Sequence, residues 1–165
     1  MRVNISEITK VEGASMDLEF NQVISELEGT AEGFSFSKPV CFKGQLANTG
    51  GIIKLSGHLT VEYSTGCYRC LNEVNGKVDV DIRENFVNTS SKADDETYEY
   101  EGNYIELDGA LKDNIILNLP MKQACSEECR GLCPKCGANL NEGECTCKDD
   151  YINPQMQVLE NYFKN

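Results

Sequence analysis

The sequence predicts an α+β protein, with an antiparallel β-rich core, two amphipathic helices and a separate cysteine-rich segment. Three observations carry this. Apolar residues alternate with period two through much of residues 40–82, two later stretches place apolar residues at helical spacing, and CSEECRGLCPKCGANLNEGECTC packs six of the nine cysteines into residues 125–147. The expected organisation is a β-rich core over residues 1–122 with a helix near 108–119, a cysteine-rich segment over 123–150 and a C-terminal helix over 151–165.

In chain order, Val40, Phe42, Gly44 and Leu46 share one face of a strand. After NTGG the next strand does the same with Ile53, Leu55, Gly57, Leu59, Val61 and Tyr63. Val78, Val80 and Ile82 alternate with Lys77, Asp79, Asp81 and Arg83, so a third strand returns beside the second and leaves CYRCLNEVNGK at a hairpin tip. Residues 88–103, polar and acidic without a periodic apolar face, read as a solvated loop. Leu107, Leu111, Ile115 and Leu119 recur every four residues, with Asp108 as N-cap and Pro120 as stop, which predicts a helix over 108–119 packed on the sheet. Asn153 as N-cap and Pro154 at the first helical position introduce Met156, Leu159, Tyr162 and Phe163, the second helical stripe.

Composition narrows the function classes. Lys plus Arg number 15 against 27 Asp plus Glu, a formal charge of −12, and such a surface repels the phosphate backbone that dominates nucleic-acid affinity. A broad RNA-binding face is therefore not expected, whereas a basic partner is. MRVNISEITK contains no apolar run of the signal-peptide kind and no later stretch has the length of a membrane span, so a cytoplasmic protein without membrane contact is expected. Thiols stay reduced there, and an odd number of cysteines suits a closed disulfide set poorly, which favours metal ligation.

Two cysteines separated by two residues can hold one ion from a tight turn. Cys67 and Cys70 do so in CYRC, and Cys133 and Cys136 in CPKCG, where Pro134 stiffens the turn and Gly137 frees the backbone. Cys125, Cys129, Cys145 and Cys147 bring the ligands to eight, enough for two structural zinc ions each closed by four thiolates. The preferred partition is local: Cys133, Cys136, Cys145 and Cys147 around the GANLNEGE loop, and Cys67, Cys70, Cys125 and Cys129 stapling the hairpin tip to the segment after the helix. A ribbon-like pairing of the two CxxC knuckles is the competing partition. Cys41, outside both, reads as a small buried hydrophobe on its strand. Arg69, Arg130 and Lys135 lie in or beside the knuckles, where they offset thiolate charge or contact RNA or a partner.

Nothing points to an enzyme. The one histidine, His58, is out of phase with Leu55, Leu59 and Val61 and so faces away from them, with no thiol placed beside it, and no GxGxxG, P-loop or GxSxG segment occurs.

GCYRCL, IELDGALKDNIILNLP, CSEECRGLCPKCGANLN and NPQMQVLENY, in that order and spacing, resemble the cysteine-rich branch of the YceD-like family, the bacterial and plastid large ribosomal RNA subunit accumulation proteins. Members often open the last helix with Asp-Pro-Arg-Leu, and here Asn153, Pro154, Gln155 and Met156 stand instead. The resemblance implies a part in large-subunit rRNA accumulation. With the composition it leads to a non-catalytic ribosome-assembly factor, which binds a basic ribosomal protein or large-subunit precursor and touches rRNA only through a small patch. The alternatives are a zinc-thiolate redox sensor and a zinc-bearing regulatory protein, the latter weakened by the lack of a basic recognition helix.

Overall fold

The computed structural model describes residues 1–24, 27, 29, 31–90 and 97–147. Eight strands and one helix are present among them: β1 (Arg2–Asn4), β2 (Ser15–Gln22), β3 (Phe34–Ser35), β4 (Val40–Thr49), β5 (Ile52–Gly66), β6 (Glu73–Asn88), β7 (Tyr98–Tyr100), β8 (Tyr104–Glu106) and α1 (Asp108–Leu117). The larger sheet runs β2-β4-β5-β6-β7, with β3 also on β5, and β1 pairs with β8 in a separate two-stranded sheet.

The period-two pattern explains the centre of this sheet. Phe42, Leu46, Ile53, Leu55, Leu59, Val61, Val78, Ile82 and Phe86 are buried on its inner face, as alternation across a pleated strand requires. Gly44 and Gly57 face each other in the register. A Cβ on Gly44 would run into the Ser56 carbonyl oxygen and come within 2.5 Å of the Gly57 Cα, so this crossing admits no side chain. The neighbouring strand β2 carries the same signal in Met16, Leu18 and Phe20, partly buried against the core, with Phe20 stacked on Phe42 at 5.3 Å between ring centroids.

Helix α1 covers the sheet with Ala110, Leu111 and Ile115, and Asn114 Nδ2 donates to Glu84 Oε1 on β6 at 2.6 Å. Its start differs from the expectation. Leu107 occupies the N-cap without a side-chain hydrogen bond, and Asp108 is the first helical residue. The Asp108 carboxylate pairs instead with the chain's own amino terminus, a stronger partner than a backbone N–H.

The α+β class with two amphipathic helices gives way to a mostly β protein with one short helix among the described residues; residues 151–165, where the second helix was expected, lie outside them. The loop expected over 88–103 contains β7, which pairs in parallel with β6, so the sheet is not wholly antiparallel. Tyr98 and Tyr100 supply that strand's packing, with the Tyr98 ring 5.5 Å from Phe86, and Tyr98 donates to Asp113 Oδ2 on α1 at 2.9 Å. Cys41 is exposed, because Val40 and Phe42 on either side point inward and the pleat sends the residue between them to the outer face.

What positions the cysteines is the length of β5 and β6. Register with β4 ends at Cys41↔Thr60, while β5 and β6 continue paired to Gly66↔Glu73. At the usual rise the hairpin projects about 20 Å past β4. Its tip is shorter than expected, Cys67 to Asn72, since EVNGK belongs to β6.

Candidate metal centres

The first knuckle closes with Cys67 N donating to Asn72 O at 2.8 Å and Leu71 N to Cys67 O at 2.9 Å. The second repeats this bond for bond: Cys133 N to Ala138 O at 2.8 Å and Gly137 N to Cys133 O at 2.9 Å. Both turns need a left-handed residue just after the second cysteine. Gly137 supplies it at φ 73°, and Leu71 adopts it at φ 63° despite its Cβ.

The segment after α1 returns to the hairpin tip and adds two thiols. Tyr68 N donates to Gln123 O at 2.9 Å and Leu132 N to Arg69 O at 3.1 Å. The Arg69 guanidinium spans the gap from the tip, with Nη1 donating to Glu127 O at 3.2 Å and Cys129 O at 2.9 Å. Cys67, Cys70, Cys125 and Cys129 thereby form one cluster and Cys133, Cys136, Cys145 and Cys147 another, each with its sulfurs within 4.8 Å of one another. The local partition, not the pairing of the two CxxC knuckles, is the arrangement seen.

All eight thiols are free. In the first cluster Cys67 Sγ lies 3.9 Å from Cys129 Sγ and Cys70 Sγ 3.6 Å from Cys125 Sγ, far beyond a disulfide bond. A tetrahedron of sulfurs about 2.3 Å from a zinc ion has edges of about 3.8 Å, so these residues fit such an ion. Cys67, Cys70 and Cys129 are buried against Val74, Ala124 and Leu132, which shields the first centre. The second is more open, with Cys136 and Cys147 exposed.

Backbone amides prepare both clusters for a cation. Burial works against the Cys67 thiolate, yet the N–H groups of Cys70, Arg69 and Cys125 outweigh it and lower its pKa to about 6. The N–H groups of Cys136 and Lys135 do the same at Cys133, also to about 6. Cys70 moves the other way: the Asn72 amide favours its thiolate, but burial and the neighbouring thiols push it up to about 12. Contact with Cys136 and then burial raise Cys147, likewise to about 12. The first cluster thus sets two thiols whose ionisation is favoured, Cys67 and Cys129, beside two that resist it, Cys70 and Cys125, and the second sets Cys133 beside Cys145 and Cys147, which resist it until a positive charge joins them.

The three cations singled out in the sequence lie here, and the backbone contributes as well as the charge: Arg69 N donates to Cys67 Sγ at 3.4 Å. Arg130 N donates to Asn141 Oδ1 at 2.7 Å, and the Lys135 amide faces Cys133. Sequence reasoning passed over Asn141. It sits in the loop of the second centre, and its Nδ2 donates to Cys129 Sγ of the first at 3.4 Å. Leu140 N to Gly131 O at 2.9 Å holds that loop in place. The two centres therefore share a wall, which spacing alone does not reveal.

His58 lies far from this chemistry, on the outer sheet face. It is ion-paired with Asp79 and, at 2.9 Å, with Asp81. These carboxylates, the Asp81 hydrogen bond first, raise its pKa. A shallow cavity of about 840 Å³ on the same face is lined by Asp17, Glu19, Lys43, Gln45, His58 and Arg83 among others, and carries both signs of charge rather than a catalytic grouping.

A family model described as large ribosomal RNA subunit accumulation protein YceD matches residues 55–162, from the long hairpin through both cysteine clusters. The chain belongs to the YceD family. Among relatives, an uncharacterized protein of Mycobacterium tuberculosis (strain ATCC 25618 / H37Rv) is 38% identical over 98 residues, covering 56% of this chain and 47% of that protein. The large ribosomal RNA subunit accumulation protein YCED homolog 1, chloroplastic, of Zea mays is 36% identical over 61 residues, covering 36% of this chain and 20% of that protein. The uncharacterized protein YlbN of Bacillus subtilis (strain 168) is 22% identical over 167 aligned positions, covering 99% and 97%. The chain spans about half the length of the mycobacterial relative. No solved structure matches it. No helix among the described residues is long and apolar enough to cross a membrane.

Proposed function

We propose that this YceD-family chain is a non-catalytic factor for accumulation of large-subunit ribosomal RNA, working in the cytoplasm as a β scaffold whose hairpin tip is stapled by two structural zinc ions. One observation carries the reading most directly: the thiols fall into two complete sets of four. Four protein ligands close a zinc site, whereas catalytic zinc keeps a position for water. The family description supports the connection to large-subunit rRNA.

The net charge of −12 favours a basic ribosomal protein or a large-subunit precursor as partner. Direct rRNA contact is confined to the region of Arg69, Arg130 and Lys135. The test combines metal analysis of protein purified without chelator, expected to return two zinc ions per chain, with sedimentation beside large-subunit precursor particles at physiological salt. Cosedimentation that persists after ribonuclease treatment supports protein docking. A chain that carries no zinc, or never migrates with the particles, overturns the proposal.

A further inference from the structure

The two knuckles are the same turn built twice, and they differ at the residue that the turn makes most demanding. After Cys136 the left-handed position is glycine; after Cys70 it is Leu71, 71% exposed. A leucine in that conformation is strained, and here its side chain gains little burial in return. What the exposed leucine does is not visible in its own packing.

The neighbours of Leu71 say what. Tyr68, on the same six-residue tip, is 48% exposed. Its ring has the Arg69 guanidinium 5.3 Å from its centroid and Lys122 Nζ at 5.9 Å. Arg69 Nε donates to the Tyr68 hydroxyl at 2.7 Å, and the same guanidinium is anchored on the carbonyls of Glu127 and Cys129, so the aromatic group is held in place before any ligand arrives. Met121, fully exposed, lies two residues before Gln123, whose carbonyl receives the Tyr68 amide. An exposed aromatic ring with two cations against it thus shares the far end of a hairpin with an exposed aliphatic side chain, in a chain of net charge −12.

We propose that the hairpin tip, through Tyr68 and Leu71 with Arg69 and Lys122, is a stacking platform for unpaired nucleotides of RNA. Bases stack on Tyr68 and against Leu71, and the two cations take adjacent phosphates. Single-stranded rather than duplex RNA fits because two cations suffice for a short backbone stretch, while the acidic remainder repels a longer duplex. This rests on the proposed role in rRNA accumulation and deepens it by naming the contact.

The test is fluorescence anisotropy of the zinc-loaded full chain with a labelled single-stranded oligoribonucleotide of about 12 nucleotides and with the matching duplex. The single strand is expected to bind better, with a shallow salt slope of about −1.4 for two phosphate contacts. Tyr68→Ala is expected to weaken binding about tenfold or more, Tyr68→Phe to keep most of it. Leu71→Gly is the sharper variant, because it relieves the left-handed strain: thermal stability is expected to hold or rise while RNA affinity falls at least about threefold. Retention of two zinc ions in each variant excludes loss of fold. Absence of RNA binding by the wild-type chain, preference for the duplex, or affinity unchanged in both Tyr68→Ala and Leu71→Gly overturns the platform. Particle cosedimentation without RNA binding removes the platform and keeps the assembly role, and RNA binding without cosedimentation does the reverse.

Discussion

Replacing Cys125 by serine separates the contribution of the metal from that of packing, because this thiol is exposed and its loss leaves no cavity. Ordering the stretch Gln123–Cys133 against the hairpin tip costs about 1–2 kcal/mol per residue, about 11–22 kcal/mol in all. Four hydrogen bonds to carbonyl oxygens join the stretch to the tip: Tyr68 N to Gln123, Leu132 N to Arg69, and Arg69 Nη1 to Glu127 and Cys129. At about 1 kcal/mol each they supply about 4 kcal/mol. A structural zinc ion adds about 10–16 kcal/mol, which brings the sum close to balance, and the few buried apolar atoms of Cys129, Ala124 and Leu132 complete it. Without the ion the docked segment is short by at least about 7 kcal/mol, by the difference between the ordering cost and the hydrogen bonds. Cys125→Ser is therefore expected to bind one zinc ion fewer, and hydrogen exchange should show the amides of Tyr68 and Leu132 losing protection while those of Leu59 and Ile82 in the hairpin core keep it. Protection of Leu132 persisting in metal-stripped protein would refute the staple, as would loss of protection spread equally over β5 and β6.

Asn141→Ala removes the N–H donor to Cys129 Sγ and the acceptor for Arg130 N; chelator competition is expected to extract zinc from the first centre about 10-fold faster. Asn141→Asp, which sets a carboxylate against a thiolate, should be worse. As the only histidine, His58 gives one assignable ring signal by NMR, and its pKa, raised by Asp81 and Asp79, is expected above the ordinary 6.5. Its pairing favours the folded state fully below the unfolded value and is lost as pH rises through the folded one; Asp81→Asn should bring the titration down. Gly44→Ala forces a Cβ onto the backbone of Ser56 and Gly57 and the Phe42 ring, with an expected loss of about 1–3 kcal/mol read by urea denaturation.

The two central strands, the third strand and the helix were legible because one side of each is buried, and burial writes its period directly into the residues: Phe42, Leu55, Ile82 and Leu111 are core residues in the structure as in the pattern. The spacing of CYRC and CPKCG announced two turns able to present paired thiols. Short edge elements escaped, since three residues such as β7 make no period and their pairing partners lie elsewhere in the chain. Cys41 was misread because its apolar neighbours masked the pleat.

By itself the sequence determined which residue types were available, eight thiols in spacings that suit metal turns and a surface too acidic for a broad phosphate-binding face, because local spacing and net charge need no fold to be true. Tertiary structure alone decided which thiols meet. Cys67 and Cys129 are 62 residues apart in the chain and 3.9 Å apart in space, since β5 and β6 outrun β4 and the segment after α1 returns to their tip. The bridge from Asn141 to Cys129 and the exposure of Leu71 beside Tyr68 were decided there too, because contact between distant segments depends on register and strand length rather than on the residues each segment contains.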